Sequence, residues 1–540
     1  MLTVKKEMRF VFIPIVVLFA VFLFFPIGML FIKSFEAGDG FSIANYTSML
    51  KEEAFRSSFL NSMKVSTLTA IITTILAFLL AYTVHCTNVF RPLKGMIRIG
   101  ILLPMLLPTI TYGFAIMYSL GNQGLLTKLF GRNLFDIYGF NGLLIGYVLY
   151  TLPAAFLLIH NAFVFIDKKY IIVSKLMGDS TIRSFANTIM RPLLGTLGGA
   201  FVLSFILSFT DFGIPASIGG TYNVVATHLY QEMLGSIPNF NNGAVIAVFM
   251  LAPAVLAMFL LRYLDRFNIH YDKFSETDLV QHRFRDTVFG SVSTIIVVVM
   301  LSVFAVMFVA PFVTSYPYDL SFSVVHVMNV FQSSDLLSVY KNSIVVAILT
   351  ALLGTVIAYG AALINVRTPL KGRLTMDVLA MMTNTISGMV LGLSYLLLFN
   401  GSSLKGTFTI IIACNIVHFF TTPYLLAKNS LSKMNPTWET TGELLGDRWL
   451  KTVYRVVLPN SASTVIEMFS YYFINSMVTI SGIIFLVSAQ TSVVASKIKE
   501  LQHFGKFNEI FVLSLLIFCT NLVVKLLSES IQKRKTSQQR

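Results

Sequence analysis

Asp211 is the residue whose type sits most oddly with its surroundings. It falls in an apolar run at about 194–217, flanked by Thr210 and Gly213. A carboxylate in such a run is expensive unless it is paired or serves a pathway. A second polar set, Glu467, Asn475, Ser476 and Thr479, falls in another apolar run at about 464–487. Two readings of these sets stay open. Thr210, Asp211, Asn475, Ser476 and Thr479 line a path for a polar solute, or neighbouring helices satisfy them and they only hold the fold together. Glu467 is close to the end of its run and can be solvated there. Enzyme chemistry is not legible. No G-x-x-x-x-G-K-[ST] phosphate loop occurs, and the nearest glycine pairs, Gly219-Gly220 and Gly401…Gly406, lack the Lys-Ser/Thr ending. There is no H-E-x-x-H, paired-Cys motif or nucleophile elbow. His160, His270, His282 and His418 are scattered without ligand spacing, so no metal site is expected from them. His160 and His418 read as hydrogen-bond partners between helices, His270 and His282 as solvated. Cys86, Cys414 and Cys519 have no paired spacing and read as small apolar packing residues. No catalytic residue, metal or cofactor is assigned to this chain.

The elements that would position these residues are membrane spans. The chain has 540 residues, 55% hydrophobic and 12% charged, against about 25% charged in soluble domains. Apolar runs of roughly 20 residues, the length that crosses a bilayer core, predict an all-α polytopic membrane protein. Twelve spans are expected, at about 10–32, 62–85, 97–119, 142–165, 194–217, 243–262, 288–313, 342–364, 377–399, 407–427, 464–487 and 509–528. The N-terminal Lys5, Lys6 and Arg9 with the run Phe10–Ile32 look like a signal peptide, but the run is too long and is read as a retained span. Pro104 and Pro108 predict a kink in the third span; the equivalent part of the ninth holds Asn384, Ser387 and Gly388. Most of the 40 Lys and Arg fall at the N-terminus, at 86–98, 167–191, 262–286, 367–373 and 428–455, and in the C-terminal tail. That bias predicts a multi-pass protein of the plasma or inner membrane with both termini cytoplasmic. The net charge of +15 is thus spent on topology, with Lys533, Arg534 and Lys535 near anionic lipid, and nucleic acid is not an expected partner.

The chain also repeats itself. Pro92-Leu93-Lys94-Gly95 recurs as Pro369-Leu370-Lys371-Gly372, and Asn61-Ser62 as Asn342-Ser343. Leu68-Thr69-Ala70, Thr74, Ala77 and Ala81 match Leu349-Thr350-Ala351, Thr355, Ala358 and Ala362, small residues that allow close helix packing in lipid. Two parallel six-span units are therefore expected, 1–262 and 287–540, joined by a cytoplasmic tether at 263–286. Each unit carries one exposed hairpin. In the second, near 429–459, Leu444-Leu445 precede Gly446 and Asp447, and Leu458-Pro459 closes the stretch, which predicts helix, glycine turn, helix and a proline return to the membrane. In the first, near 167–192, Leu176-Met177-Gly178-Asp179 and Arg191-Pro192 take the same places.

Glu439, Leu445, Gly446, Val456, Leu458 and Pro459 resemble the EAA loop of binding-protein-dependent ABC importer permeases. The first hairpin departs from that pattern: Ile172, Val173 and Ser174 stand where Glu-Ala-Ala is usual, Arg191 replaces Leu, and the Gly-to-Pro spacing is one residue longer. The resemblance covers almost the whole chain as two fused MetI-like permease units. It implies that Gly178, Asp179, Glu439, Glu443, Gly446, Asp447, Arg448, Leu458 and Pro459 couple to a cytoplasmic ATPase. Two copies of that ATPase would bind the ATP, and an extracytoplasmic binding protein would deliver the solute. Ser208–Gly213 and Tyr472–Ser481 look most like the branch for ferric iron or 2-aminoethylphosphonate; polyamine and thiamine permeases are alternatives within the family. An ion-coupled secondary transporter using Asp211 is the alternative outside it. The closer match of the second hairpin predicts that changes around Gly446 impair transport more than those around Gly178.

Overall fold

The computed structural model describes residues 2–37, 40–132, 136–167, 169–235, 237–264, 266 and 282–538. Most of the predicted tether at 263–286, His270 included, lies outside the described residues. In chain order the first half contains α1 (Leu2–Phe19), α2 (Phe25–Phe35), α3 (Glu53–Cys86), α4 (Arg91–Leu102), α5 (Thr109–Leu120), α6 (Phe140–Phe163), α7 (Lys169–Leu176), α8 (Thr181–Phe185), α9 (Arg191–Thr210), α10 (Gly213–Ile218), α11 (Val225–Leu234) and α12 (Phe240–Leu264). The second half contains α13 (Arg283–Val309), α14 (Ser334–Arg367), α15 (Thr375–Thr385), α16 (Gly388–Phe399), α17 (Phe408–His418), α18 (Thr421–Ser432), α19 (Thr437–Leu444), α20 (Trp449–Thr452), α21 (Ala462–Val478), α22 (Val494–His503) and α23 (Phe507–Gln538). The described strands are two short antiparallel hairpins, Glu36–Ala37 with Gly40–Phe41 and Val313–Ser315 with Asp319–Phe322. Helix dominates because apolar runs in lipid must satisfy every backbone polar group within the segment.

Among the described residues, eight helices are long and apolar enough to cross a membrane, or eleven if each of three bent pairs is one span. The expected stretch at 464–487 is the exception. It holds α21, 17 residues long and broken from the preceding helix at Ser461. The kink predicted at Pro104 and Pro108 is a full break: Arg91–Leu106 and Thr109–Phe130 meet at 110°. Its counterpart, Thr375–Thr385 with Gly388–Phe399, bends by 101° without a proline. There Ile386 is extended, and the Ser387 hydroxyl accepts the Val390 N–H at 3.4 Å to start α16. The same geometry is thus reached by proline in one half and by a side-chain cap in the other.

The helices that hold the matched motifs share several features. α3 and α14 are both 34 residues long. Each ends before a threonine whose hydroxyl turns back to the carbonyl four residues earlier, Thr87 to Thr83 and Thr368 to Ile364. Ala70, Ala77 and Ala81 in α3 and Ala351, Ala358 and Ala362 in α14 are all fully buried. The compact units cut across the halves, however. One consists of Met1–Met49, Glu232–Leu251 and His326–Arg540; the other of Leu50–Gln231 and Ala252–Val325. In the second of these, α13 packs on first-half helices: Thr83 and Ser293 share a hydrogen bond of 2.7 Å, Ser119 donates to the Val303 carbonyl at 2.6 Å, and Tyr112 meets Phe304 edge-on. In the other unit α1 and its continuation pack on second-half helices. Phe19 meets Phe420 at 4.6 Å, and Tyr395 donates to the Phe22 carbonyl at 2.5 Å. Each half lends its first long helix to the other half's unit.

Candidate functional site

The second hairpin is built as its sequence predicts. α19 ends in a Schellman turn: the Gly446 N–H bonds to the Glu443 carbonyl at 3.0 Å and the Asp447 N–H to the Gly442 carbonyl at 2.9 Å. Gly446 has φ +80° with open space around it, so backbone conformation alone demands glycine there. Gly442 is required for a different reason. A Cβ there would stand 2.3 Å from the Thr452 hydroxyl, so its absence lets α19 lie against α20. The turn pushes Leu444 and Leu445 outward, 83% and 79% exposed. Glu443 and Arg448 are exposed beside them, and Lys451 pairs with Asp447 one helical turn away. A π turn, Val453–Val457, then leads into Leu458-Pro459.

A guanidinium ties this hairpin down. Arg367, the last residue of α14, forms a two-pronged pair with Glu439, Nε to Oε1 and Nη2 to Oε2, both at 2.6 Å. It also donates to the Met434 carbonyl at 3.0 Å and the Asn435 carbonyl at 2.9 Å. Such fork-to-carboxylate pairing fixes orientation as well as adding energy. From α1, the Glu7 carboxylate accepts the Leu450 N–H at 3.1 Å, filling one of the donors that the start of α20 leaves open.

The first hairpin repeats the turn without the anchor. Gly178 has φ +82° and open space around it, and the Asp179 N–H bonds to the Ser174 carbonyl at 3.1 Å. Leu176 and Met177 are exposed like their counterparts, at 82% and 80%. Asp179 accepts from Ser174 at 2.7 Å and faces Arg183 at 3.6 Å. The extra residue between Gly178 and Pro192 is absorbed in α8, five residues against the four of α20, and a π turn, Ala186–Met190, again precedes Arg191-Pro192. At the places of Arg367 and Glu439, by helix register and by the glycine turn, stand Cys86 and Ile171. Those two residue types cannot form an ion pair.

Asp211, Thr210, Asn475 and Ser476 each have a hydrogen-bond partner. The Asp211 carboxylate is buried, accepts the Ile214 N–H at 2.9 Å and bonds to Thr109. It therefore caps α10 where the fifth span breaks after Thr210, whose own hydroxyl bonds to the Ile206 carbonyl. Helix α21 ends in the same way, with Thr479 at φ −70°, ψ 138° matching Asp211 at φ −71°, ψ 137°. Asn475 donates to the Tyr471 carbonyl of its own helix, and Ser476 accepts from Asn415 at 2.9 Å. His160 does bridge helices, 2.9 Å from His85, and His282 caps α13. Cys86 and Cys414 are buried and Cys519 is exposed, and none of the three is in a disulfide.

Sequence reasoning missed Arg367 and Glu7. Arg367 had a signal: it is a charge at the end of the long helix that leads to the repeated Pro-Leu-Lys-Gly, and the matching first-half helix ends in Cys86. Glu7 had none, because nothing in the repeat links α1 to the second hairpin.

No family model matches the chain. It is similar to the ferric transport system permease protein FbpB of Actinobacillus pleuropneumoniae, 25% identical over 515 residues, 92% of this chain and 74% of that protein. A putative ferric transport system permease protein FbpB 1 of Haemophilus influenzae is also 25% identical, over 500 residues, 89% of this chain and 78% of that one. A crystal structure of a bacterial ABC transporter involved in the import of the acidic polysaccharide alginate superposes on 46% of this chain and 96% of its own, at 16% identity. Its TM-score is 0.39, too low to bear on the fold. The resemblance to importer permeases, first carried by the hairpin residues, extends along nine-tenths of the sequence.

Proposed function

We propose that this chain is the membrane permease of an ATP-driven ABC importer, that its two hairpins dock on two copies of a cytoplasmic ATPase, and that its cargo is ferric iron. The observation that carries the reading is the duplicated hairpin: a left-handed glycine thrusts an exposed apolar pair outward, Leu444-Leu445 in one half and Leu176-Met177 in the other. Exposed apolar tips on a polar hairpin suit a protein groove, where burying each side chain contributes about 1.5–3 kcal/mol. The absence of a phosphate loop from the sequence puts ATP hydrolysis on the partner. The choice of iron over 2-aminoethylphosphonate rests on the ferric permeases to which the chain is similar.

Docking on the ATPase requires the hairpins to face the cytoplasm, which follows from the basic-residue bias. An extracytoplasmic binding protein delivers the solute on the opposite face, and Thr210, Asp211, Asn475, Ser476 and Thr479 mark where the spans break along its route. The test is reconstitution in liposomes with the ATPase and binding protein encoded beside this chain. Radioactive ferric iron should accumulate only with ATP inside the ATPase compartment, and a Leu444→Asp/Leu445→Asp variant should lose both the bound ATPase and the uptake. Uptake that persists without an ATPase would overturn the reading, and uptake of a phosphonate but not iron would overturn the cargo.

A further inference from the structure

Several matched residues make matched contacts in the two halves. The Ser62 hydroxyl accepts the Val225 N–H and the Ser343 hydroxyl the Val494 N–H, both at 2.8 Å. Asn61 donates to the Asn223 carbonyl at 3.0 Å, and Asn342 to the Gln490 and Ser492 carbonyls. Lys94 donates to the Thr87 carbonyl, as Arg373 does to that of Thr368. Arg98 and Asp377 each stand four residues beyond those last two donors. His160 and Lys428 each stand eighteen residues before the glycine of their hairpin, Gly178 or Gly446. Arg98 therefore takes the place of Asp377, and His160 that of Lys428.

In the second half this corner is a closed cluster with its charges balanced. The Asp377 carboxylate on α15 accepts from Lys428 at 2.6 Å and Tyr424 at 2.7 Å, both on α18, and from Asn365 of α14 at 3.0 Å. In the first half a guanidinium replaces the carboxylate and an imidazole the ammonium. Arg98, on α4, is exposed. Among the described residues it has no hydrogen-bond or ion-pair partner. It acts electrostatically on His160 of α6, and no carboxylate does. His160 is half-buried, stacked on Phe156 at 5.2 Å, with its Nδ1 2.9 Å from His85 Nε2. With its proton on Nε2, His160 accepts at Nδ1 from His85 and keeps Nε2–H as a donor for another group.

We propose that Arg98 and His160 bind the phosphate of an anionic lipid, which supplies the negative charge that Asp377 supplies in the second half. Three observations favour a lipid over a dissolved anion. His85 is the last residue but one of α3, so the cluster lies at the end of a span, at headgroup depth. By the predicted topology that end is cytoplasmic, and the cytoplasmic leaflet carries the anionic lipid. The surface around Arg98, on α4 and the turn that follows it, is apolar: Met96 is 40% exposed, Ile99 66% and Met105 41%. A lipid can set its phosphate on the guanidinium, whose planar fork suits phosphate, while its acyl chain covers those side chains. A dissolved phosphate would satisfy the charge and leave the apolar surface bare. The site is independent of the cargo and of the ATPase.

The test is native mass spectrometry of the purified full-length chain in detergent, offered equal amounts of phosphatidylglycerol and phosphatidylcholine with the same acyl chains. The wild type should retain phosphatidylglycerol in preference to phosphatidylcholine. Arg98→Gln should weaken that retention by about fivefold, the worth of one basic side chain near an anionic surface. His160→Leu, which removes the imidazole donor, should weaken it too. Arg91→Gln, at another exposed arginine of the same helix, should leave it unchanged. Arg98→Asp with His160→Lys, which copies the second half, should abolish it while elution volume and melting temperature stay at wild-type values. Should that double variant misfold, the comparison of Arg98→Gln with Arg91→Gln decides. No preference for phosphatidylglycerol in the wild type, or equal losses from the Arg91 and Arg98 variants, overturns the site. Inorganic phosphate that binds through Arg98 while no lipid is retained overturns the assignment to lipid.

Discussion

Arg367→Ala removes the tie between α14 and the second hairpin, and its effect can be worked from the geometry. The Arg367 side chain is 3% exposed and that of Glu439 16%. Truncating one member of a buried ion pair costs about 3–5 kcal/mol, because the other charge is left uncompensated. Glu439 keeps some water, and the Met434 and Asn435 carbonyls can be resolvated, so about 3 kcal/mol, the lower end of that range, is expected. At 1.4 kcal/mol per decade, that changes the ratio of anchored to released hairpin by on the order of a hundredfold. A hairpin that is anchored nearly all the time becomes released for a substantial fraction, and apparent affinity for the ATPase falls with the competent fraction. Two measurements read this directly. Amide exchange across residues 435–447 should speed up, and titration of ATPase onto the reconstituted permease should show at least about tenfold weaker binding. Arg367→Lys keeps the charge but loses the fork, so it should fall between wild type and alanine. If exchange in the hairpin is unchanged in Arg367→Ala and ATPase affinity stays within about twofold, the pair does not hold the coupling element and the reasoning fails.

Gly446→Ala and Gly178→Ala impose the same left-handed strain, about 1–2 kcal/mol, in equally open surroundings; a larger uptake defect from Gly446→Ala therefore reports unequal use of the two hairpins, and equal defects would refute that ranking. Gly442→Ala drives a methyl into the Thr452 hydroxyl and should lower stability by about 1–3 kcal/mol. Adding Thr452→Ala should restore part of that loss in a thermal melt, and strict additivity of the two changes would contradict the contact. Asp211→Asn preserves an acceptor for the Ile214 N–H and should keep uptake within about twofold, whereas Asp211→Leu removes the α10 cap, at about 1–2 kcal/mol. A carboxylate that carried protons in an ion-coupled transporter would instead make the asparagine variant as defective as the leucine one, with uptake driven by a proton gradient.

What was legible in the sequence is what repeats or has a fixed local rule. Gly446 and Gly178 announced their turns because only glycine takes φ near +80° without strain, and the matching Asn-Ser pairs announced equivalent contacts. The prolines were legible as breaks but not in kind. In each described π turn, Ala20–Phe24, Ala186–Met190 and Val453–Val457, the second residue beyond the turn is a proline: Pro26, Pro192 and Pro459. Proline lacks the N–H for the bond to the fourth residue back and its ring clashes with that carbonyl, and a wider turn relieves both. What stayed hidden depends on partners distant in sequence. Glu7 meets the Leu450 N–H 443 residues away, and α1 and α13 leave their own halves for the other unit, which no periodicity records. Asp211, by contrast, has a partner close in sequence, the Ile214 N–H three residues ahead.

α3 and α14 are equal in length and differ in how their ends are tied. α14 spans about 50 Å at 1.5 Å per residue. At one end Asp335 pairs with Lys497 on α22, and at the other Arg367 pairs with Glu439 in the hairpin. A rod tied by ions at both ends moves its two ends together, so displacement of the second hairpin reaches α22 without an intervening loose joint. α3 has the same length but not the same ties. Its hairpin end carries Cys86, and its other end offers Glu52 to His228, a carboxylate and an imidazole in place of a carboxylate and an ammonium.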